Sequence, residues 1–392
     1  MADIQAPRKS NTSILNSLAF RGIAYQVLLA AGVILIGWYL YINVNANLER
    51  QGIATGFDFL TEDAGFDIGE SVIPFDSSQS YGRVLVAGIL NTLHVAIVGI
   101  FLATIVGVLM GIARVSRNWL ISKLASAYVE ACRNVPVVLH VIFWASIIRN
   151  LPSPRQAITP MEGIFITNRG IIYPIPEAHG IYPWLAVALV IGIIGAVILG
   201  RRAQKRREET GQYIPTFWPG LGLILGLPAI VWLAAGAPLE WDVPALRGFN
   251  YQGGSSLTPE FVALLIGITV YTGAFIAEIV RAGIQSVQHG QVEAARSLGL
   301  RPGLVMRLVI LPQALRVIVP PTTSQYLSLT KNSSLGVLIG YPDLVNVGNT
   351  TLNQTGQAVE AIAIMMLVYL LISLTISIFM NVYNRVVAIK ER

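Results

Sequence analysis

The stretch Ile284–Pro312, IQSVQHGQVEAARSLGLRPGLVMRLVILP, is a polar and basic interruption between two strongly apolar runs. Its centre, Gln291–Leu298, reads as about two turns of helix, which Gly299 ends as a C′ residue and Pro302 separates from the next helix. A segment this short is not a domain; it reads as a rigid knob. Glu293 falls in the expected first turn, where a carboxylate suits the positive end of a helix. Ala294 and Ala295 keep the surface low enough for another protein to close over it. Arg296, Arg301, Arg307 and Arg316 place the segment on the cytoplasmic side of a membrane.

The composition agrees with a membrane setting. Hydrophobic residues make up 54% of the 392 and charged residues only 12%, which a soluble domain could not sustain without large exposed apolar patches. The net charge of +6 comes from Lys and Arg gathered in short loops, with no basic groove interleaved with aromatics, so it reports topology and argues against a nucleic-acid partner. One cysteine, Cys132, excludes an internal disulfide framework and a Cys-based metal cluster. The four scattered histidines are a poor metal site, so no metal is expected. The polar start before the first apolar span shows no small-residue cleavage site, and that span is expected to be retained.

Working outward from the knob gives about eight spans with both termini cytoplasmic, an all-α polytopic membrane protein. Arg8, Lys9 and Arg21 precede the first, Ala24–Ile42, and Arg385, Lys390 and Arg392 follow the eighth, Val359–Val382. An acidic loop with Asp58, Glu62, Asp63, Asp67, Glu70 and Asp76 reads as periplasmic. In the second span, Ala87–Ala113, Gly99, Ala103, Gly107 and Gly111 recur every four residues and allow close helix packing. The third is expected to start near Leu124 and run to Ile148, with Pro136 inside it as a kink. Tyr182–Gly200 and Phe217–Gly236 form an inserted pair joined by Arg201, Arg202, Lys205, Arg206 and Arg207, their outer connections reading as interfacial turns. Pro259–Ile279 and Arg316–Ile339 are the sixth and seventh. The expected divisions are 1–86, a first core part 87–149, the insert 150–258, and a second core part 259–392 that carries the loop 284–312.

The polar residues inside spans are the candidates for a pathway. Tyr271 and Glu278 are seven apart on the sixth helix and share a face, with Arg281 close enough to pair locally with the carboxylate. On the seventh, Ser324, Ser328 and Lys331 form one stripe and Gln325, Ser328 and Asn332 a neighbouring one. With Thr322, Thr323, Thr330, Ser333 and Ser334 also present, these groups are too many for a lipid-facing helix and are expected to face other helices or water. Lys331 suits a substrate carboxylate, and equally an interhelical ion pair. No Walker-type phosphate loop, serine elbow, His–Glu pair or carboxylate dyad occurs, so no catalytic residue is expected.

The order Glu293-Ala294-Ala295, Gly299, Val309, Leu311-Pro312 resembles the EAA loop of binding-protein-dependent ABC importer permeases, with Val309 in place of the usual Ile. Arg133-Asn134-Val135-Pro136, Glu278-Ile279-Val280-Arg281 and Thr330-Lys331-Asn332-Ser333-Ser334-Leu335 resemble segments of the polar amino-acid branch, and the chain as a whole looks like the larger Q-type subunit of general L-amino-acid systems. The resemblance implies the type I ABC importer permease fold in a bacterial inner membrane. It also implies that Gly290, Glu293, Ala294, Ala295, Arg296 and Gly299 form a coupling helix docked on a separate ATPase subunit. ATP and Mg are then expected on that ATPase and no cofactor on this chain. The expected partners are two ATPases, a second permease subunit and a periplasmic amino-acid-binding protein, all in a lipid setting. Import would proceed by alternating access. The alternative is an ion-coupled secondary amino-acid transporter, which needs midplane carboxylates and discontinuous helices; a membrane scaffold is a third, disfavoured by the polar seventh helix.

Overall fold

The computed structural model describes residues 18–52, 55–212 and 214–387; the basic residues expected to fix the extreme termini, Arg8, Lys9, Lys390 and Arg392, lie outside them. The chain is helical, with α1 (Leu18–Gln51), α2 (Tyr81–Arg114), α3 (Trp119–Asn134), α4 (Val137–Arg149), α5 (Tyr182–Thr210) and α6 (Phe217–Ala234). There follow α7 (Pro259–Gln285), α8 (His289–Ser297), α9 (Pro302–Val305), α10 (Leu311–Asn332), α11 (Leu344–Thr355) and α12 (Ala358–Val387). Among the described residues seven helices are long and apolar enough to cross a membrane, and eight spans result if the bent pair α3 and α4 is one. The α7 helix is the centre of the larger core. Phe261, Leu264, Ile268, Ile276 and Val280 on it are buried among Val95 and Ala103 of α2, Val141 and Ala145 of α4, and Leu329 of α10.

The expected small-residue stripe is the seam between α2 and α7. A Cβ at Gly107 would lie 2.5 Å from Cβ of Ile276, and one at Gly111 would lie 2.6 Å from Cβ of Val280, so the two backbones approach only because no side chain intervenes.

The third span departs from expectation. It is not one kinked helix: α3 and α4 meet at 106° across Val135 and Pro136. Pro136 has no N–H to give the helix and crowds the preceding residue, and Val135 is accordingly extended at φ −102°, ψ 131°. With 13 residues, about 20 Å, α4 alone is short of a hydrocarbon core of about 30 Å.

The insert holds strands where turns were expected. β1 (Ile158–Met161), β2 (Ile164–Thr167), β3 (Gly170–Tyr173) and β8 (Ser255–Leu257) form an antiparallel sheet in that order. β4 (Ile175–Pro176) pairs with β5 (Trp241–Asp242), and β6 (Ala245–Arg247) with β7 (Asn250–Gln252). The β3–β8 and β4–β5 ladders tie the chain before α5 to the chain after α6 and close the insert at its base. Gly170, at φ +109°, is obligatory there, because a Cβ would fall 1.9 Å from the Leu257 carbonyl oxygen. Helices α5 and α6 pack chiefly on each other.

By compactness the chain divides along other lines than the four stretches above: Asn91–Pro342 with Thr375–Arg392 is one unit, and Met1–Leu90 with Asp343–Leu374 the other. The second has its own core, in which Phe59, Tyr81, Val84 and Leu85 enclose Leu344 and Val347 of α11, a helix the span reading did not separate. Tyr81 donates to Gln354 at 2.9 Å and the Gly56 amide donates to Glu360 at 2.9 Å, fastening the loop and helix ends of this unit.

Candidate functional site

The knob begins two residues earlier than expected, so Glu293 lies in the second turn of α8 and not in the first. Its carboxylate is therefore held by a neighbouring side chain, His289 Nδ1 at 3.0 Å one turn back, and not by the helix end. The stop is a Schellman cap. The Gly299 amide donates to the Arg296 carbonyl at 2.8 Å and the Leu300 amide to that of Ala295 at 3.4 Å, with Gly299 at φ +75°. Gly290, Glu293, Ala294 and Arg296 are exposed, as is Leu298 at 82%, an apolar tip that the sequence reading passed over. Ala295 is the exception among the loop residues. It is 5% exposed, and α8 packs on the turn at Pro302–Ile310, so its small side chain adds little to an outward surface.

Beyond the knob the chain continues as one helical rod, Pro302–Ile339, 38 residues or about 57 Å long. A π turn at Met306–Ile310 and a 3-10 stretch at Ser333–Ile339 are built into it. The rod joins the knob to every candidate of the seventh span. Ser324, Ser328 and Lys331 lie on its exposed face, with Gln325 and Asn332 half-buried beside them. Among the described residues Lys331 has no ion-pair partner, so the interhelical pair is not made there. Lys331 lies on the exposed side of the rod, and lipid there would cost its ammonium at least about 2.5 kcal/mol.

Much of the remaining polarity serves the helix itself. Thr322 donates to Ile318, Thr323 to Val319, Thr330 to Tyr326, Ser333 to Thr330 and Ser334 to Lys331, each to a backbone carbonyl 2.7 to 3.3 Å away. These hydroxyls are satisfied by their own helix, so Thr322, Thr330 and Ser333 can be buried against neighbouring elements without a polar partner there. Pro320 and Pro321 supply no N–H, so the backbone here is already short of donors.

The sixth-span candidates form a different arrangement. Tyr271 packs on Phe275 at 4.9 Å and on His140 of α4 at 5.8 Å. Glu278, a turn below Phe275, is gripped by arginines from three helices: Arg114 of α2, Arg281 on its own helix with Nε at 3.2 Å, and Arg133 of α3 at 3.6 Å. Arg133 also lies over the Phe275 ring at 5.2 Å. With its carboxylate so occupied, Glu278 fastens α2, α3 and α7 to one another. Nothing in the sequence pointed to Arg114 or Arg133 as partners of Glu278, because both are remote from it along the chain.

Two further polar anchors were missed. Asn91 of α2 donates through Nδ2 to the Pro342 carbonyl at 2.8 Å and accepts from the Tyr341 hydroxyl at 3.2 Å, all fully buried or nearly so. Arg149 donates to the Ile339 carbonyl at 3.1 Å, capping the outer end of the rod. An amide alone in an apolar span was the available signal for Asn91; nothing marked Arg149.

A multi-pass bundle with a projecting, cleanly capped knob between its central spans is the frame of a membrane transport subunit, and similarity to known proteins agrees. Residues 208–391 match the family described as binding-protein-dependent transport system inner membrane component. The general L-amino acid transport system permease protein AapQ of Rhizobium johnstonii is 49% identical over 376 residues, covering 95% of this chain and 94% of that protein. The putative amino-acid ABC transporter permease protein YhdX of Escherichia coli is 48% identical over 390 residues, covering 97% and 99%. Among solved structures, an amino acid ABC transporter crystallised with histidines aligns at a TM-score of 0.46 and 20% identity, over 78% of this chain and 94% of that one. The chain belongs to the family of inner-membrane components of binding-protein-dependent transport systems. It is a multi-pass permease subunit of the inner membrane, a non-catalytic component.

Proposed function

We propose that this chain is the permease subunit of an ATP-driven importer of L-amino acids, with α8 as the element that receives the ATPase stroke and the outer face of α10 as part of the substrate path. The observation that carries the reading is the continuity of the knob with the helical rod Pro302–Ile339. A displacement of α8 is handed through one capped turn to the helix that presents Ser324, Ser328 and Lys331. ATP and Mg would be held by the partner ATPases, which would close on the exposed face of Gly290, Glu293, Ala294 and Arg296, with Leu298 as the apolar contact at its tip.

The exposed ammonium and hydroxyls on α10 suit an amino acid's carboxylate and the water that accompanies it, and a path along this face would run between this subunit and a second permease subunit. Relatives named for general L-amino acids and for amino acids support that substrate class. A periplasmic amino-acid-binding protein would deliver the substrate. The test is co-expression with the ATPase, the second permease subunit and the binding protein, followed by amino-acid uptake into inverted-control and right-side-out vesicles. ATP-dependent uptake that a proton or sodium ionophore leaves intact supports the reading; uptake abolished by the ionophore with ATP present overturns it in favour of ion coupling.

A further inference from the structure

The outer end of α1 borders a cleft that the transport reading does not use. That helix has 34 residues, about 51 Å, well beyond a hydrocarbon core of about 30 Å. Trp38, Tyr39 and Tyr41, all exposed, mark the outer interface on it, so Asn45 and Glu49 stand at headgroup level. There α12 begins its return, with Glu360 in its first turn. The most apolar parts of α1 and α12 hold no buried residue, so lipid reaches both helices.

The cleft, of about 620 Å³, is lined by this end of α1, by residues 55–57 and by the first turns of α12. On α1 the lining residues Gly37, Tyr41, Asn45 and Glu49 fall four apart on one face, and over about 18 Å they run outward from apolar to charged. The charged residues of the lining are both carboxylates, Glu49 and Glu360. Among the described residues neither has an ion-pair partner, and Arg50, the next residue along, is outside the lining. Glu360 is 9% exposed. Its Oε1 accepts from the Gly56 amide at 2.9 Å, which fills one of the roughly four acceptor sites of a carboxylate. A carboxylate so buried calls for a counter-charge, and nothing in the lining supplies it.

We infer that this cleft binds phosphatidylethanolamine of the outer leaflet, its ammonium held by Glu49 and Glu360. The order of groups on α1 matches that lipid from its head inward. Glu49 meets the ammonium, the Asn45 amide and the Tyr41 hydroxyl suit the phosphodiester, and Leu40 and Gly37 lie where the acyl chains begin. The rings of Tyr41 and Phe57 also favour a cation. A lipid with an anionic headgroup and no amine meets repulsion from both carboxylates. A free amine would use the same carboxylates but not the apolar wall, which is why the lipid is the occupant chosen. The inference stands apart from the substrate reading, since neither α8 nor α10 lines the cleft.

The test is native mass spectrometry of the full chain purified in mild detergent, with phosphatidylethanolamine and phosphatidylglycerol added in equal amounts. The expected result is retention of phosphatidylethanolamine over phosphatidylglycerol by about tenfold, as two partly exposed ion pairs would give. In a variant with Glu49→Gln and Glu360→Gln, which keeps both sizes and an acceptor for the Gly56 amide, that preference should vanish. Because Glu360 also ties α12 to the loop, Glu49→Gln alone, at an exposed position, is the second variant and should lower the preference by about threefold. Gly37→Phe places a ring at the apolar end, where an added Cβ meets no atom within 4 Å, and should lose most of the retained lipid with both carboxylates in place. A preference unchanged in the double variant would overturn the site. Displacement of the lipid by millimolar ethanolamine would overturn the lipid as its occupant.

Discussion

The guanidinium of Arg114, the last residue of α2, donates to Oε2 of Glu278, two turns before the end of α7. The pair is partly shielded, the side chains being 12% and 25% exposed, and Arg281 and Arg133 add to it from α7 and α3. One carboxylate thus holds three helices where they leave the membrane.

Glu278→Gln is expected to lower thermal stability in detergent by about 1 to 3 kcal/mol, since three guanidinium groups would crowd a neutral amide. Arg281→Gln alone should cost less, because Arg114 and Arg133 remain. The unfolding midpoint of each purified variant checks the order; an unchanged midpoint in Glu278→Gln would remove the fastening role.

Gly107→Val should be more damaging than any exposed change on the same helix. Its side chain would be driven into Ile276, whose Cβ already lies 2.5 Å from where the new Cβ must sit. Overpacking of this kind costs about 1 to 3 kcal/mol, and here it also separates α2 from α7. The expected outcome is reduced yield of folded protein by size-exclusion chromatography, while the exposed change Ile97→Val leaves the yield as it was.

The spans and the knob were legible because runs of about 20 apolar residues and a Gly–Pro stop are local signals. Other features depend on partners far along the chain. A proline at 136 is compatible with a kink or a break, and only the packing of α4 on α7 selects the 106° bend. The strands are two to four residues long, and β3 finds β8 only across the whole α5–α6 hairpin, so no periodicity announces them. Glu278 showed its near neighbour Arg281 but not Arg114, 164 residues away. On α10, composition counts hydroxyls but cannot tell those bonded to their own backbone from those offered outward, and that distinction singles out Ser324, Ser328 and Lys331.

Asp343 caps α11, accepting from the Asn346 amide at 2.9 Å, and is fully buried in the connection between the last two spans. Burial pushes its carboxyl up to about 7 from an ordinary value of 3.8. The folded state therefore holds this proton more tightly than the unfolded chain, so its contribution is fully present below about pH 4 and is lost as pH rises through about 7. Thermal midpoints of the purified chain between pH 5 and 8 should fall with rising pH, and Asp343→Asn, which keeps the capping oxygen, should flatten that slope. A slope equally steep in the variant would assign it to other groups.

Lys331→Met keeps length and removes charge on the exposed face of α10. Folding of the subunit should survive, since among the described residues the ammonium makes no ion pair, while uptake should fall by tenfold or more, in line with the loss of a charge-assisted contact of about 1.5 to 3 kcal/mol. Complex yield and uptake measured on the same vesicles separate the cases: lost assembly would make the lysine an intersubunit fastener, and full uptake at normal yield would remove it from the path.

The most direct test of the account is substrate-stimulated ATP hydrolysis by the reconstituted complex carrying Gly299→Asp. A side chain at φ +75° strains the cap that fixes α8 to the rod, yet the position is open to solvent and no buried contact is disturbed. The account predicts normal membrane insertion with stimulation and uptake both lost. Stimulation equal to that of the unaltered complex would contradict α8 as the coupling element.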